Sequence, residues 1–296
     1  MDALKKTKTL DLERYLSSGV EKLVKDMLKA AVFHPRESLF MAQYALSSKK
    51  ASEKRQAAEL RGEHIPPFLI ASITEICNLQ CAGCYARSLN GCGEHHSKEL
   101  SAEEWARIFG EARDLGIGFI LLAGGEPFVR KDVIEKAACF PEILFPIFTN
   151  GTMLDSEYFA LFDRNRNLIP ILSIEGGKEK TDARRGDGIY EQARAAMQTM
   201  KDRRIAFGAS VTVTAQNMEE VTSMDFVKAL AVNGCKAIIY VEFVPADESL
   251  QALTPDQTQR EALAARIDAF RSAGDAPRML SFPGDEKEAG GCLAAG

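Results

Sequence analysis

From Pro66 onward the chain alternates short, β-branched apolar runs with longer amphipathic stretches, and this alternation restricts its fold more than any other feature. The short runs occupy residues 66–75, 117–124, 143–150, 168–176, 205–214 and 236–244, each bounded by turn residues. Six strands are therefore expected. The stretches between them carry apolar residues at helical spacing, and the first opens on Ser101 with Glu104 three residues later, the sequence of a capping box. A last helix is expected to begin at "TPDQ", with Thr254 as its cap and Pro255 at the first helical position. Strand–helix alternation of this kind builds a parallel sheet, and six units are too few to close an eightfold barrel. The expected fold is α/β, a partial (βα)6 TIM-like barrel with an N-terminal helical extension. The division read from the sequence is 1–64 for the extension, 65–250 for the barrel and 251–296 for a final helix and a further segment.

Charge sets the N-terminal piece apart. Met1 to Gly62 holds 13 Lys and Arg against 8 Asp and Glu, a balance of +5, while the rest of the chain balances at −10. Two or three amphipathic helices are expected there, their basic face solvated rather than bound to nucleic acid or membrane. No apolar run approaches the roughly 18 residues of a membrane span, and the first residues lack the apolar core of a secretion signal. The expected location is the cytoplasm. Reduced thiols fit that compartment, and three of the seven cysteines crowd into "CNLQCAGC", as Cys77, Cys81 and Cys84.

The C-x3-C-x2-C spacing is too tight, and odd in number, for a disulfide framework. It suits metal or cluster ligation. In parallel α/β folds ligands bind beyond the carboxyl ends of the strands, and Cys77 falls just past the first of them. Three thiolates leave one corner of a cubane cluster without a protein ligand, whereas electron-carrier clusters use four. Cys92 is the candidate fourth, and with it the alternative is a four-cysteine zinc site. His95 and His96 lie in a polar loop and read as solvated. Cys139 and Cys235 read as small buried thiols, and Trp105 as core.

"CNLQCAGCY", followed some forty residues later by "GGEP", resembles the radical S-adenosylmethionine enzymes over about Pro66 to Ala246. The resemblance implies a [4Fe–4S] cluster on Cys77, Cys81 and Cys84, with its open iron left for the methionine end of S-adenosylmethionine. It further implies that Gly124, Gly125, Glu126 and Pro127 receive the methionine ammonium. "LSIEGGKEKTDARRGDG" resembles a segment of peptide-modifying members in which Ser173 and Arg185 would contact ribose or the methionine carboxylate, with Glu175 where an aspartate is usual. Phe243 and Val244, at the sixth strand end, would contribute to the adenine site. Asn150, Thr212 and Thr214 are expected at strand ends near the cavity. Members commonly carry an aromatic residue before the third cysteine, where this chain has Gly83, with Tyr85 following Cys84.

The implied activity is reductive cleavage of S-adenosylmethionine and hydrogen abstraction from a peptide or protein. The alternatives are a tetrapyrrole or other small-molecule substrate, and a non-catalytic zinc protein. The implied partners are that substrate and a reducing donor such as flavodoxin or ferredoxin. "GCLAAG" at the end resembles the opening of the auxiliary-cluster (SPASM or twitch) domain of one branch, and the sequence is expected to be truncated there, Cys292 having no later cysteine to join it.

Overall fold

The computed structural model describes residues 35–84, 86, 99–273 and 276–285. Its order is α1 (Pro35–Glu59), β1 (Phe68–Ser72), α2 (Ala102–Leu115), β2 (Phe119–Ala123), α3 (Lys131–Ala138), β3 (Phe145–Thr149), α4 (Ser156–Arg164) and β4 (Leu168–Ile174). There follow α5 (Lys178–Arg185), α6 (Ile189–Asp202), β5 (Gly208–Val213), α7 (Met218–Val221), α8 (Met224–Val232), β6 (Ala237–Glu242), α9 (Gln257–Ala273) and β7 (Arg278–Phe282). The strands pair in chain order, every pair parallel, and β1 does not pair with β7. The sheet is an open, curled half-barrel.

The α/β partial barrel expected from the alternation is present, with one more strand than the six counted. β7 is five residues between Pro277 and Pro283, and its partner is β6 alone. Its end is fixed by Asp285, which is buried, accepts two hydrogen bonds from Arg271 at 2.9 and 2.8 Å and takes the Ser281 amide at 2.8 Å. The strand thus depends on a helix-to-loop ion pair that a local apolar pattern does not display.

Alternation along each strand sorts its side chains. Ile120 and Leu122, Phe145 and Ile147, and Val211 and Val213 belong to the main core under the outer helices. The opposite parity, with Ser72, Ser173, Ser210 and Thr212, lines the concave side. Ile70 on that side of β1 remains 51% exposed, so the concavity is open there. Helix ends follow local chemistry. Ser101 and Glu104 form the capping box, and Asp155 and Ser223 cap α4 and α8. The last helix begins two residues later than expected: Asp256 and Gln259 cap each other reciprocally, and the Thr254 hydroxyl is buried without a partner among the described residues.

α1 lies across the amino ends of the strands. Met41 and Tyr44 pack with Leu144, against Phe119 and Ile169, and the Tyr44 hydroxyl donates to Gly118 O at 3.1 Å. Met1 to His34, which include the remaining expected N-terminal helices, lie outside the described residues.

Candidate functional site

At the carboxyl ends, the chain beyond β1 stays in register with the chain beyond β2. The Gly125 and Glu126 amides donate to Thr74 O and Ile76 O, both at 2.8 Å. This contact explains the two glycines. A Cβ at Gly124 would sit 2.2 Å from Thr74 O, at a φ of +129° that disfavours any side chain, and one at Gly125 would sit 2.2 Å from Ile76 O. Their close approach is to the loop that carries Cys77.

Glu126 closes the same unit and is 1% exposed. Its Oε1 accepts from the Phe128 amide at 3.2 Å and the Thr149 hydroxyl at 2.8 Å, and its Oε2 from the Asn150 amide at 2.8 Å. A carboxylate offers about four acceptor positions, so one remains on Oε2. Burial pushes its pKa up against these bonds and the nearby Arg185. Pro127, also buried, opens a single 3-10 turn that Glu126 caps.

Two further clamps hold the loop, and neither stood out in the sequence. Glu99, just before α2, accepts from the Thr74 hydroxyl and the Glu75 amide and pairs with Arg130 at 3.1 Å. At the other end, the Ala82 amide donates to Arg184 O at 2.8 Å. The Arg184 guanidinium lies 5.8 Å from the Phe243 ring centre, and a Cβ at Gly83 would fall 2.9 Å from that ring. Phe243 therefore supports the loop where an aromatic side chain at position 83 is absent. Its neighbour Val244 is 62% exposed at the mouth.

Glu175 is the charge centre of the β4 end. Its Oε1 accepts from Arg184 Nη1 at 2.7 Å and from Arg185 Nε and Nη2 at 2.8 and 2.6 Å. Arg184 Nη1 also reaches Thr212 Oγ1 at 3.0 Å. Among the described residues, Glu175 Oε2 and Arg184 Nε are buried with no hydrogen-bond partner. Ser173 stands beside Ser210 in the β4–β5 register. Asn217, a buried residue unnoticed in the sequence, donates to Glu175 O at 2.9 Å and Thr212 O at 2.8 Å, tying the two strand ends together. Thr214 serves that turn, its amide donating to Asn217 Oδ1.

Cys77, Cys81 and Cys84 are free thiols on one loop, the first exposed and the others half-buried. Partial desolvation of the Cys77 sulfur pushes its pKa up, opposed by the Leu79 amide, and the nearby Glu126 carboxylate adds to the rise. Among the described residues no three His, Cys, Asp or Glu side chains converge on a single metal ion. In a cluster each thiolate would take a separate iron, so three cysteine ligands need not converge on one point. Cys235 is buried in the core, its thiol pushed up to about 12 by desolvation. Cys139 departs from the buried expectation: it ends α3, is exposed, and donates to Glu135 O at 3.4 Å. Trp105 is core. Tyr85, Cys92, His95, His96 and Cys292 lie outside the described residues.

The family model described as the Radical SAM superfamily matches residues 71–227. Fe-coproporphyrin III synthase of Methanosarcina barkeri is 30% identical over 161 residues, covering 53% of this chain and 40% of the relative. PqqA peptide cyclase of Rhizobium meliloti is 32% identical over 167 residues, covering 54% and 43%. The chain thus spans about two fifths of the length of these two relatives. Streptococcus suis SuiB bound to S-adenosylmethionine superposes with a TM-score of 0.62 at 15% identity, over 79% of this chain and 51% of SuiB. That likeness concerns the fold.

Proposed function

The chain belongs to the radical SAM superfamily, a family of enzymes that use a [4Fe–4S] cluster and S-adenosylmethionine, and on that premise we propose that it modifies a peptide or protein by radical chemistry. The observation that carries the reading is the cysteine loop itself. Three free thiols in C-x3-C-x2-C spacing occupy one loop, and the loop is clamped by Glu99, by the Gly124–Glu126 backbone and by Arg184.

In this reading Cys77, Cys81 and Cys84 hold the cluster. Gly124, Gly125, Glu126 and Pro127 take the methionine ammonium, Glu126 with its remaining acceptor position on Oε2. Ser173 and Arg185 take the ribose or the carboxylate, and the unpartnered Glu175 Oε2 leaves a buried acceptor beside them. Phe243 and Val244 border the adenine. When bound, the cluster and cosubstrate supply one-electron cleavage of the sulfonium to a 5′-deoxyadenosyl radical that abstracts hydrogen from carbon. The protein's own work is to hold the loop still, keep the charged groups paired and present the open side near Ile70 and Val244 to the substrate. A low-potential donor of the flavodoxin or ferredoxin class supplies the electron.

Peptide substrates are favoured by the relatives named for peptides, PqqA peptide cyclase among them, and by the SuiB structure with its precursor peptide SuiA. Fe-coproporphyrin III synthase supports a second reading, a tetrapyrrole substrate. Anaerobic reconstitution is expected to give about four irons per chain with broad visible absorption, lost in Cys77→Ala, Cys81→Ala and Cys84→Ala. S-adenosylmethionine with dithionite then yields 5′-deoxyadenosine, and mass spectrometry of peptides and of porphyrins after turnover separates the two substrates. A colourless zinc-loaded protein would sink the reading.

A further inference from the structure

We infer that Asn78, Asn150 and Thr152 are positioning residues that tune the reduction potential of the cluster held by Cys77, Cys81 and Cys84. This rests on the cluster reading above. The three side chains form a closed ring. Asn78 Nδ2 donates to Thr152 Oγ1 at 2.8 Å, Thr152 Oγ1 donates to Asn150 Oδ1 at 2.7 Å, and Asn150 Nδ2 donates to Asn78 Oδ1 at 2.9 Å. Each member both gives and accepts, so closure fixes which way both amides face.

The ring is anchored on its β3 side. The Thr152 amide donates to Asn150 Oδ1 at 2.9 Å, and the Asn150 amide to the buried Glu126 carboxylate at 2.8 Å. Its other side is the cysteine loop. Asn78 stands between Cys77 and Leu79, and the Leu79 amide donates to Cys77 Sγ at 3.5 Å. Holding the Asn78 side chain therefore holds the peptide geometry that aims this N–H at the sulfur. An N–H···S bond to a cluster thiolate favours the more negative, reduced state, and such bonds are among the determinants of cluster potential. The far end of the loop is tethered separately, through Ala82 and Arg184, so the ring governs the Cys77 corner.

Wild type, Asn78→Ala, Thr152→Val, Thr152→Ser and the Asn78→Ala/Thr152→Val double variant are reconstituted anaerobically. Each is reduced stepwise with dithionite, which is oxidised as the cluster takes one electron, and followed by electron paramagnetic resonance. The midpoint is expected to move to more negative potential in Asn78→Ala and Thr152→Val. Thr152→Ser, which keeps the hydroxyl, stays with the wild type. The double variant goes no further than the larger single change, because both break one ring. A merely structural role would lower the unfolding temperature and leave the midpoint in place. Wild-type midpoints in both Asn78→Ala and Thr152→Val at full iron content overturn the inference. Absence of iron from the wild-type chain would instead overturn the cluster reading, and this inference with it.

Discussion

Glu175 shows how one residue can be visible in a sequence and its role invisible. Its place after β4 marks it as a site position, but the two arginines sharing its Oε1 sit nine and ten residues away on α5. Side-chain exposures of 3% for Glu175, 18% for Arg184 and 11% for Arg185 make this a buried ion triad. Removing the common partner of a buried charge group leaves the others uncompensated, so Glu175→Ala is expected to cost about 3–5 kcal/mol in urea unfolding. A loss under about 1 kcal/mol would mean that water takes over the pairing. Glu99 makes a pH-dependent prediction. Burial would raise its pKa, but the Thr74 hydroxyl, the Glu75 amide and Arg130 hold it below the ordinary glutamate range. A lowered folded-state value stabilises the fold above the unfolded pKa, and that stability disappears as pH falls through the folded value. Glu99→Gln should therefore destabilise the apoprotein by about 1.5–3 kcal/mol at neutral pH. The gap should narrow as acid protonates the wild-type residue, and urea unfolding across pH checks it. A gap constant with pH would refute the assignment.

At the scale of elements, the cysteine loop and β6 constrain each other through Gly83. That residue has a φ of +63°, and the ring of Phe243 stands where its Cβ would be. Gly83→Ala is expected to lose about 1–2 kcal/mol from backbone conformation, with the ring contact adding to it. In a Phe243→Leu background the contact part should vanish, so the two changes combine less than additively in a thermal-unfolding cycle. Strict additivity would show that the loop does not rest on that ring. What the sequence disclosed and withheld divides along the same lines. Period-2 and helical patterns, the Ser101–Glu104 cap and the cysteine spacing are local signals, and they located six strands, the α2 start and the loop. Arg184, Asn217, Asn78 and β7 act through partners distant in sequence, such as Asn78 on Asn150 or Arg271 on Asp285. No local pattern encodes such pairs. Cys139 is exposed, against the sequence expectation, because it ends α3 just past the buried stripe of Val133, Ile134 and Ala137, where one residue decides exposure.

The whole molecule separates its two ends. The thiols, Glu126, Glu175 and Phe243 all lie at the carboxyl ends of the strands, whereas α1 covers the amino ends through Met41 and Tyr44. In barrels of this type the first end carries chemistry and the second carries stability. Among the described residues no helix is long and apolar enough to cross a membrane, and the packing of α1 is against the barrel. Tyr44 is 3% exposed, so Tyr44→Ala removes a buried ring and a hydrogen bond to Gly118 O together. A loss of about 3–5 kcal/mol is expected for such a truncation. For a chain of this size that corresponds to a fall of roughly 6–20 °C in unfolding temperature. Below the transition, iron content and cluster midpoint should match the wild type, since no contact of Tyr44 reaches the cysteine loop. The comparison with Asn78→Ala then runs in opposite directions, one variant losing stability with its midpoint kept and the other shifting its midpoint with little loss of stability. If Tyr44→Ala lowers iron occupancy at a temperature where the chain is folded, the two ends are coupled through the sheet and do not act separately.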